Sequence, residues 1–345
     1  MRALTLTATG SLDHLRLQDH PAPEIGAPDQ VRIRIHTAAL NRLDLWVTQG
    51  IPGVDYRFPR VAGSDGAGVV ESVGSAVTSV RVGDRVLLNP GISCGRCAWC
   101  TKGEDPLCPS FQVLGEHRDG TIAEYVVVPE RNVALVPEGM SWAQAAAFPL
   151  ATLTAWRMLT TRARLQAGER VLIWGIGGGV ALAALAIARH LGAEPIVTSS
   201  SDAKLARARE LGASVTLNHA TQDVPKEIRA LTGKQGVDVV VDTVGEATWE
   251  RSLRSLGRLG RLVTCGGTSG PMVTTDVRKL FWYQWSILGS TMGSAAEFRA
   301  ITALARDGKL WPQVDSVVPL AEAREAFARL DAGGQMGKVV IEVAR

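Results

Sequence analysis

The sequence lacks the features that mark membrane, nucleic-acid-binding and secreted proteins. It has no run of five or more basic residues, and 37 basic and 34 acidic residues leave a formal net charge of only +3. Neither a nucleic acid nor a membrane surface is therefore indicated as a partner. The longest apolar run, Val180 to Ala188, is about half of the ~20 residues that a membrane-spanning helix needs. Met1 to Gly10 lacks the apolar core of a signal peptide, so we expect a cytoplasmic protein.

Cysteine is scarce as well, with five residues in a chain of 345. In a cytoplasmic protein, cysteines are more often metal ligands or free thiols than disulfides. The composition, 46% hydrophobic and 21% charged, is that of a globular protein and excludes disordered and collagen-like classes. The length indicates two domains or one large one.

Hydrophobic patterning divides the chain. Residues 1–152 contain short apolar stretches punctuated by Gly, Pro, Asp and Asn, which is typical of a barrel or sandwich. Ser141 to Met158 has helical spacing, with Ser141 as N-cap and Gln144 completing a capping box. Residues 153–290 alternate strands and helices, which predicts βαβ units and a doubly wound parallel sheet. Residues 291–345 form a mixed tail that we expect to return to the first domain.

A glycine-rich loop follows the first strand of the alternating region. Val171 to Trp174 forms an apolar strand, and an apolar helix begins after the loop, whose residues are Gly175, Ile176, Gly177, Gly178, Gly179 and Val180. Glycines let the backbone approach a pyrophosphate, and the helix N-terminus offers free N–H groups. The loop therefore predicts a dinucleotide site. Ala181 stands one place later than the last small residue of G-x-G-x-x-G.

The end of the second strand bears on the choice of dinucleotide. NAD sites carry a carboxylate there for the ribose 2′-hydroxyl. This strand ends in Thr198, Ser199, Ser200 and Ser201, and the first carboxylate is Asp202. Hydroxyl groups together with Lys204 suit a 2′-phosphate, so the sequence favours NADP(H). Alternatively, Ser201 only caps the next helix and Lys204 is a solvated surface residue.

Four of the cysteines have the spacing C-x2-C-x2-C-x7-C, namely Cys94, Cys97, Cys100 and Cys108. Four thiolates complete a tetrahedral shell and leave no position for substrate, so they predict one structural Zn2+ in a lobe spanning 91–110. The segment is rich in Gly and Pro and has little apolar surface of its own, so the metal would supply its order. Two disulfides or four free thiols are the alternative. Cys265, at the end of a predicted strand, is interpreted as a core residue.

Several motifs together resemble the medium-chain dehydrogenase/reductase family, which contains the zinc alcohol dehydrogenases and quinone oxidoreductases. The resemblance covers nearly the whole chain. It implies an NAD(P)-dependent enzyme with a GroES-like β-barrel catalytic domain and a Rossmann domain, assembled as a homodimer or homotetramer. Besides the cysteine and glycine loops, the motifs are the segments 39–44, 63–68, 82–86, 119–125 and 154–156.

The chain departs from the zinc-dependent members of this family at the catalytic metal. Where those members carry Cys, His and usually Cys as ligands, this chain has Asn41, Ser64 and Leu150. Amide, hydroxyl and isobutyl groups do not make a zinc site. In this respect the chain is similar to the quinone oxidoreductase branch, whose motif is also A-L-N-x-x-D. The resemblance therefore implies a member that has a structural zinc and lacks a catalytic one.

The resemblance also implies roles for individual residues. Asn41 and Thr154 would lie near the nicotinamide, and Lys338 would approach cofactor phosphate or the closing cleft. The remaining implied cofactor contacts are Gly177, Gly178, Gly179 and Val180 at the pyrophosphate, Ser200, Ser201, Lys204 and His219 at the 2′-phosphate, and Val244, Gly266 and Gly267 at ribose and nicotinamide.

Without a metal, an acceptor oxygen needs protein donors. A quinone or α,β-unsaturated carbonyl spreads the developing charge, so the sequence predicts NADPH-dependent reduction of such conjugated small molecules. Asn41 could donate a hydrogen bond, and His117 is the candidate proton donor, unless it is a surface histidine. Trp282 and Trp285 could line a pocket or a dimer contact. The alternative functions are an alcohol or aldehyde dehydrogenase that relies on protein donors, and a catalytically idle NADPH-binding protein.

Overall fold

Two compact units make up the chain in the computed structural model, which describes residues 1–344. Unit 1 comprises Met1–Ala151 and Gly293 onward, and unit 2 comprises Thr152–Met292. The predicted boundaries lay between residues 152 and 153 and between 290 and 291. Among the described residues, no helix is long and apolar enough to cross a membrane.

Unit 1 is mainly β-structure, as the short apolar stretches predicted. Its first ten strands are β1 (Arg2–Leu6), β2 (Leu15–Asp19), β3 (Gln30–Ala39), β4 (Arg60–Val61), β5 (Asp65–Val73), β6 (Arg85–Leu88), β7 (Gly91–Ile92), β8 (Gln112–Val113), β9 (Tyr125–Pro129) and β10 (Val133–Leu135). Six strands of unit 2 come next: β11 (Arg170–Ile173), β12 (Glu194–Ser199), β13 (Val215–Asn218), β14 (Val237–Val241), β15 (Leu256–Thr264) and β16 (Ser286–Gly289). Two further strands belong to unit 1 again: β17 (Val314–Pro319) and β18 (Lys338–Glu342).

Eleven α-helices connect these strands within the described residues. They are α1 (Arg42–Gln49), α2 (Ala98–Thr101), α3 (Trp142–Ala147), α4 (Pro149–Trp156), α5 (Gly179–His190), α6 (Asp202–Glu210), α7 (Val224–Leu231), α8 (Trp249–Ser255), α9 (Val277–Trp282), α10 (Ala295–Arg306) and α11 (Ala323–Asp331). The helix predicted over 141–158 is two helices, because Pro149 cannot continue α3 and starts α4. The capping box of Ser141 and Gln144 is present.

The main sheet of unit 1 joins strands from both ends of the chain. Its order is β10-β6-β5-β3-β18-β17, and β9 also pairs with β3. Val31, Ile33 and Ile35 on alternate positions of β3 are fully buried, as expected for a strand with one apolar face. Strand β18, near the end of the chain, pairs antiparallel with β3. Gly68 permits the close pairing of β5 and β3, because a Cβ there would lie 2.0 Å from the Arg34 carbonyl oxygen.

Unit 2 is the predicted doubly wound parallel sheet. Its order is β13-β12-β11-β14-β15-β16, and every neighbouring pair is parallel. Strands such as β14, with sequence VDVVV, are apolar because helices cover both faces of such a sheet. The crossing order places β11 and β14 at the centre, and ligands bind at the carboxyl ends of strands where the order reverses. The predicted α/β class, with a barrel-type domain and a Rossmann sheet, is therefore confirmed.

Candidate functional site

The four predicted zinc ligands converge in unit 1. The sulfur atoms of Cys94, Cys97, Cys100 and Cys108 all lie within 4.8 Å of one another. Cys100 Sγ is 3.9 Å from Cys94 Sγ and 3.5 Å from Cys97 Sγ. A Zn–S bond of about 2.3 Å gives tetrahedral S–S edges of about 3.8 Å. The set therefore fits a structural zinc, and no disulfide joins these cysteines.

Backbone groups around the sulfurs tune the thiols. The N–H groups of Arg96 and Cys97 lower the pKa of Cys94 to about 6, which favours the thiolate that binds metal. Burial raises the pKa of Cys108 to about 11. Burial likewise raises the pKa of the Cys265 thiol to about 12, which disfavours a reactive thiolate, although the residue is only partly buried and is not part of the core.

The zinc lobe is tied to distant parts of unit 1. Asp105 Oδ1 accepts a hydrogen bond from Ser93 Oγ at 3.1 Å, and its Oδ2 accepts one from the Ala295 N–H at 3.1 Å. The second bond spans 190 residues and holds the first turn of α10. The Arg131 guanidinium also donates to the Ser93 carbonyl.

The glycine loop of unit 2 has the geometry of a dinucleotide cradle. Gly175 adopts φ +69°, and a Cβ at Gly175 or Gly178 would meet no atom within 4 Å, so the surrounding space is open. Gly178 is the N-cap of α5 and has no side chain to cap the N–H groups of the first turn. The loop therefore presents backbone donors and the positive end of a 12-residue helix to a pyrophosphate.

The 2′-position of the ribose would lie where β12 ends. Ser199 is the last residue of β12, and its Oγ accepts from the Ser201 N–H at 3.1 Å. Ser201 caps α6 by accepting from the Lys204 N–H at 3.4 Å, so the capping role weighed from sequence is present. The Asp202 carboxylate is engaged elsewhere, since its Oδ1 accepts a hydrogen bond from Asn218 Nδ2 at 2.7 Å.

His219 follows β13 and contributes a neutral group next to that position. Its Nδ1 lies 3.1 Å from Thr198 Oγ1, and burial together with Arg251 lowers its pKa. Arg251 was missed from the sequence, since its position on α8 gives no local signal. Its guanidinium stacks on Trp174 at 4.9 Å and donates to the His219 carbonyl at 3.4 Å. It is the cation that packs beside His219.

The loops after β14 and β15 come together, as the predicted ribose and nicotinamide contacts require. Asp242 is fully buried, and its Oδ1 accepts from the N–H groups of Val244 at 2.9 Å and Gly245 at 3.0 Å. The Ser269 N–H donates to the Val244 carbonyl at 2.8 Å and so joins the two loops. Gly266 N–H bonds to Thr264 Oγ1 at 3.3 Å, and Gly267 follows it directly. Thr154, on α4, is buried.

A buried polar cluster in unit 1 contains Asn41 and adjoins Ser64 and Leu150, the three residues at which the resemblance implies that a catalytic metal has been lost. We name it the Lys338–Asp65 cluster. Lys338 is 3% exposed and Asp65 is 0% exposed, and Lys338 Nζ donates to Asp65 Oδ2 at 2.9 Å and to Asn41 Oδ1. Asn41 Nδ2 also donates to Asp65 Oδ2 at 2.9 Å. The Leu150 N–H donates to Asp65 Oδ1 at 2.9 Å.

Local structure explains how these residues meet. Gly63 adopts φ +92°, and a Cβ there would lie 2.5 Å from Ile122, so glycine is needed to turn Ser64 and Asp65 inward. Asn41 caps α1, and its N–H donates to Asp44 Oδ2 at 2.7 Å. Strand β18, which begins at Lys338, pairs with the end of β3 just before Asn41.

The same cluster does not fit a second zinc. Ser64 Oγ donates to Asp44 Oδ1 at 3.2 Å, and burial raises the pKa of Asp44 to about 7. Below that pH most molecules hold a proton on Asp44, which leaves the Asp65 carboxylate to balance the Lys338 ammonium. An ammonium bonded to the side chains of Asn41 and Asp65 takes the acceptor atoms that a metal would need. The predicted contact of Lys338 with cofactor phosphate competes with these two bonds.

The two predicted catalytic residues, Asn41 and His117, differ in whether their hydrogen-bond donors are already used within the protein. Both amide protons of Asn41 point to cluster acceptors, Asp65 Oδ2 and the Ala39 carbonyl at 3.5 Å. His117 Nδ1 accepts from the Val113 N–H at 3.3 Å, so the neutral ring carries its proton on Nε2. Glu116 lies 3.8 Å from the same Nδ1. His117 is half-buried, so its Nε2–H remains a possible donor.

The tryptophans considered for a pocket separate clearly. Trp285 is 8% exposed, stacks on Tyr283 and donates from Nε1 to the Gly257 carbonyl at 2.8 Å. It is a core residue of unit 2, because its indole N–H finds an internal acceptor. Trp282 is 68% exposed on α9, next to the terminal strand β16. The dimer or tetramer stays a prediction.

Comparison with known families supports the same division of the chain. A family model described as an alcohol dehydrogenase GroES-like domain matches residues 27–138. A second model, described as a zinc-binding dehydrogenase, matches residues 179–307. The first match lies in unit 1, and the second covers most of unit 2 and continues into α10.

Individual relatives match over nearly the full length. A crystal structure of an NAD-dependent alcohol dehydrogenase is 45% identical, with a TM-score of 0.96, and the match covers 100% of both chains. The NAD-dependent alcohol dehydrogenase of Sulfolobus acidocaldarius is 31% identical over 99% of this chain and 100% of its own. A quinone oxidoreductase of Pseudomonas aeruginosa is also 31% identical, over 99% of both chains.

Proposed function

The chain belongs to the medium-chain dehydrogenases/reductases of the zinc-type alcohol dehydrogenase kind, and from this premise we propose that it reduces conjugated carbonyl compounds with NADPH and without a catalytic metal. That it is an NAD(P)-dependent oxidoreductase follows from the family. The observation that carries the proposal is the Lys338 ammonium bonded to Asn41 and Asp65. These bonds occupy the side-chain oxygen atoms of Asn41 and Asp65 that could otherwise bind a metal. The substrate that accepts the hydride must therefore react without a Lewis acid there.

Quinones and α,β-unsaturated carbonyls meet that requirement. Hydride addition to either one places negative charge on an oxygen that is conjugated with the reacting carbon. Hydrogen bonds and one proton then suffice to complete the reduction, whereas a simple ketone needs stronger polarisation of its carbonyl. The match to a quinone oxidoreductase supports this substrate class.

Each part of the chain has a role in the proposed reaction. A bound dihydronicotinamide supplies the hydride. The N–H groups at Gly178 to Val180 would hold the pyrophosphate, and Val244, Gly266 and Gly267 would hold ribose and nicotinamide. His117 Nε2–H donates a hydrogen bond to the acceptor oxygen as negative charge develops there, and a proton from water completes the reduction. The Lys338–Asp65 cluster fixes Asn41, which serves as a positioning residue.

A substrate panel tests the proposal. We expect NADPH oxidation with quinones and enones at rates at least an order of magnitude above those with saturated aldehydes and ketones of the same size. Fast alcohol-dependent NADP+ reduction with no turnover of any quinone or enone would contradict it. Tight NADPH binding with no hydride transfer to any acceptor would instead indicate a catalytically idle cofactor-binding protein.

The preference for NADPH has its own test at the end of β12. We expect wild-type protein to favour NADPH over NADH in kcat/KM, because Ser199, Ser200 and Ser201 offer donors and no carboxylate. Ser199→Asp places a carboxylate at the end of the second strand. We expect the NADPH/NADH ratio to fall on the order of 10- to 100-fold, the effect of one or two charge-assisted contacts of about 1.5–3 kcal/mol.

Ser199→Ala is the matched control, because it removes the hydroxyl without adding charge. Its ratio should stay within a few-fold of the wild type. The related alcohol dehydrogenases described above are NAD-dependent, so an enzyme that already prefers NADH, with a ratio unmoved by Ser199→Asp, would overturn the assignment.

A further inference from the structure

We propose that unit 1 holds an anion-binding subsite at Arg60 and that the substrate carries a carboxylate which binds there. This inference rests on the proposed function, since it narrows the class of conjugated carbonyl compound. Arg60 belongs neither to the four-cysteine cluster nor to the residues predicted to contact the cofactor.

Arg60 is a buried cation without a hydrogen-bond partner. It is 6% exposed on the short strand β4. Its side chain donates no hydrogen bond to any atom in residues 1–344, and its Nε is buried without a partner. Buried charges in proteins are normally paired, because an unpaired one loses its hydration without compensation. An arginine kept in this state therefore points to a partner from outside the chain.

The same arginine lines a small cavity. The cavity, with an empty volume of about 220 Å³ that includes space open to solvent, is lined by Leu6, Asp44, Val47, Thr48, Arg60, Ala62, Gly63 and Gly115. The enclosed part of this space is far too small for a whole small molecule, so only one small terminal group of a substrate could approach Arg60 there. Gly63 directly precedes Ser64 and Asp65, so the cavity adjoins the Lys338–Asp65 cluster.

A second arginine strengthens the positive charge. Arg118 is half-buried and its guanidinium likewise donates no hydrogen bond within the described chain. Burial lowers the pKa of Arg118 and Arg60 lowers it further, whereas Asp119 raises it. Two guanidinium groups that are close enough to repel each other, one of them on a residue that is only 6% exposed, favour an anion near both.

The carboxylates nearby are engaged elsewhere. Asp119 Oδ1 accepts from the Val61 N–H at 3.0 Å, and its Oδ2 pairs with His20 at 3.4 Å. Glu116 Oε2 lies 3.8 Å from His117 Nδ1 and makes no hydrogen bond to Arg60. Asp44 accepts from Asn41 and Ser64 and is largely protonated below pH 7. None of them hydrogen-bonds to Arg60, so its positive charge is available to a ligand.

The test compares a short γ-keto-α,β-unsaturated acid with its methyl ester as acceptors. The two share the enone and differ in one negative charge. We expect wild-type kcat/KM to favour the acid, and Arg60→Met to reduce the acid/ester ratio by on the order of tenfold or more, as the loss of charge-assisted bonds predicts. Arg60→Lys should give an intermediate ratio. Arg57→Met, which removes an exposed neighbouring arginine, is the matched control and should leave the ratio unchanged.

The Tm of Arg60→Met is a second measurement, and it distinguishes a ligand-binding arginine from a structural one. Because Arg60 makes no hydrogen bond, Arg60→Met should keep or raise the Tm, whereas a structural arginine would lower it. A wild-type preference for the ester, a ratio that Arg60→Met leaves unchanged, or a marked fall in Tm would overturn the proposal.

The subsite can be tested even if the proposed function fails. If neither compound is reduced, calorimetric titration of the protein with bound NADP+ still compares the acid with the ester. Binding of the acid that is lost in Arg60→Met supports the subsite and rejects only the reaction. Binding of inorganic phosphate, with no binding of the acid, would overturn the carboxylate assignment.

Discussion

Replacing Lys338 with methionine should destabilise unit 1 by about 3–5 kcal/mol, the usual cost of leaving one member of a buried ion pair alone. Asp65 is fully buried and would keep only the Asn41 and Leu150 donors. For a unit of about 200 residues this corresponds to a fall in Tm of roughly 10 °C. Thermal denaturation would measure the fall in Tm, and hydrogen exchange would show whether the loss of stability lies in unit 1.

The double variant Lys338→Met with Asp65→Asn shows whether the pair itself is the cause. Because the neutral amide no longer needs a cation, the double variant should lose less stability than Lys338→Met alone. Lys309→Met is the matched control, since Lys309 forms an exposed pair with Asp307 at 3.2 Å and should contribute under about 1 kcal/mol. If Lys338 instead serves only as a cofactor phosphate contact, Lys338→Met would raise the KM for NADPH and leave the Tm nearly unchanged.

Local patterns in the sequence were enough for the features that depend on local spacing. The four cysteines lie within fifteen positions, so their spacing alone predicted a closed metal shell. The glycine loop is likewise defined by the strand before it and the helix after it. The alternation of strands and helices over 153–290 predicted the parallel sheet, because each βαβ unit is contiguous in the chain.

Features that depend on distant pairing were beyond those patterns. Lys338 and Asp65 are 273 residues apart, and only the pairing of β18 with β3 brings them together. Arg60 shows the same limit, since an arginine on a two-residue strand reads as a surface residue until the fold buries it. Trp285 was assigned to a pocket or dimer contact because periodicity cannot show that its N–H reaches the Gly257 carbonyl.

Loss of the structural zinc should be the second change with a large effect on stability, and the contacts of the lobe show which other segments it should disturb. Wild-type protein should contain one zinc per chain by elemental analysis, because the Cys set fits the metal and the Lys338–Asp65 cluster does not. Cys100→Ser removes the sulfur that lies close to both Cys94 and Cys97. We expect this variant to lose the metal and the order of the lobe, since structural zinc supplies folding free energy on the order of 10 kcal/mol in small zinc domains. Cys265→Ser, which replaces a partly buried thiol outside the lobe, is the matched control and should keep one zinc.

The disturbance should spread along two contacts of the lobe. Asp105 holds the N–H of Ala295, so hydrogen exchange should rise at the start of α10 as well as in the lobe. Strand β7 pairs with β8, and His117 Nδ1 accepts from the Val113 N–H at the end of β8, so turnover should fall more than NADPH binding. Unit 2 should exchange as in the wild type.

A second zinc in the wild type would contradict the metal-free assignment at Asn41, Ser64 and Leu150. Zinc retained by Cys100→Ser would place the metal outside the cysteine loop. With neither result, the zinc orders the segment that carries His117, the proposed hydrogen-bond donor, and takes no part in the hydride transfer itself.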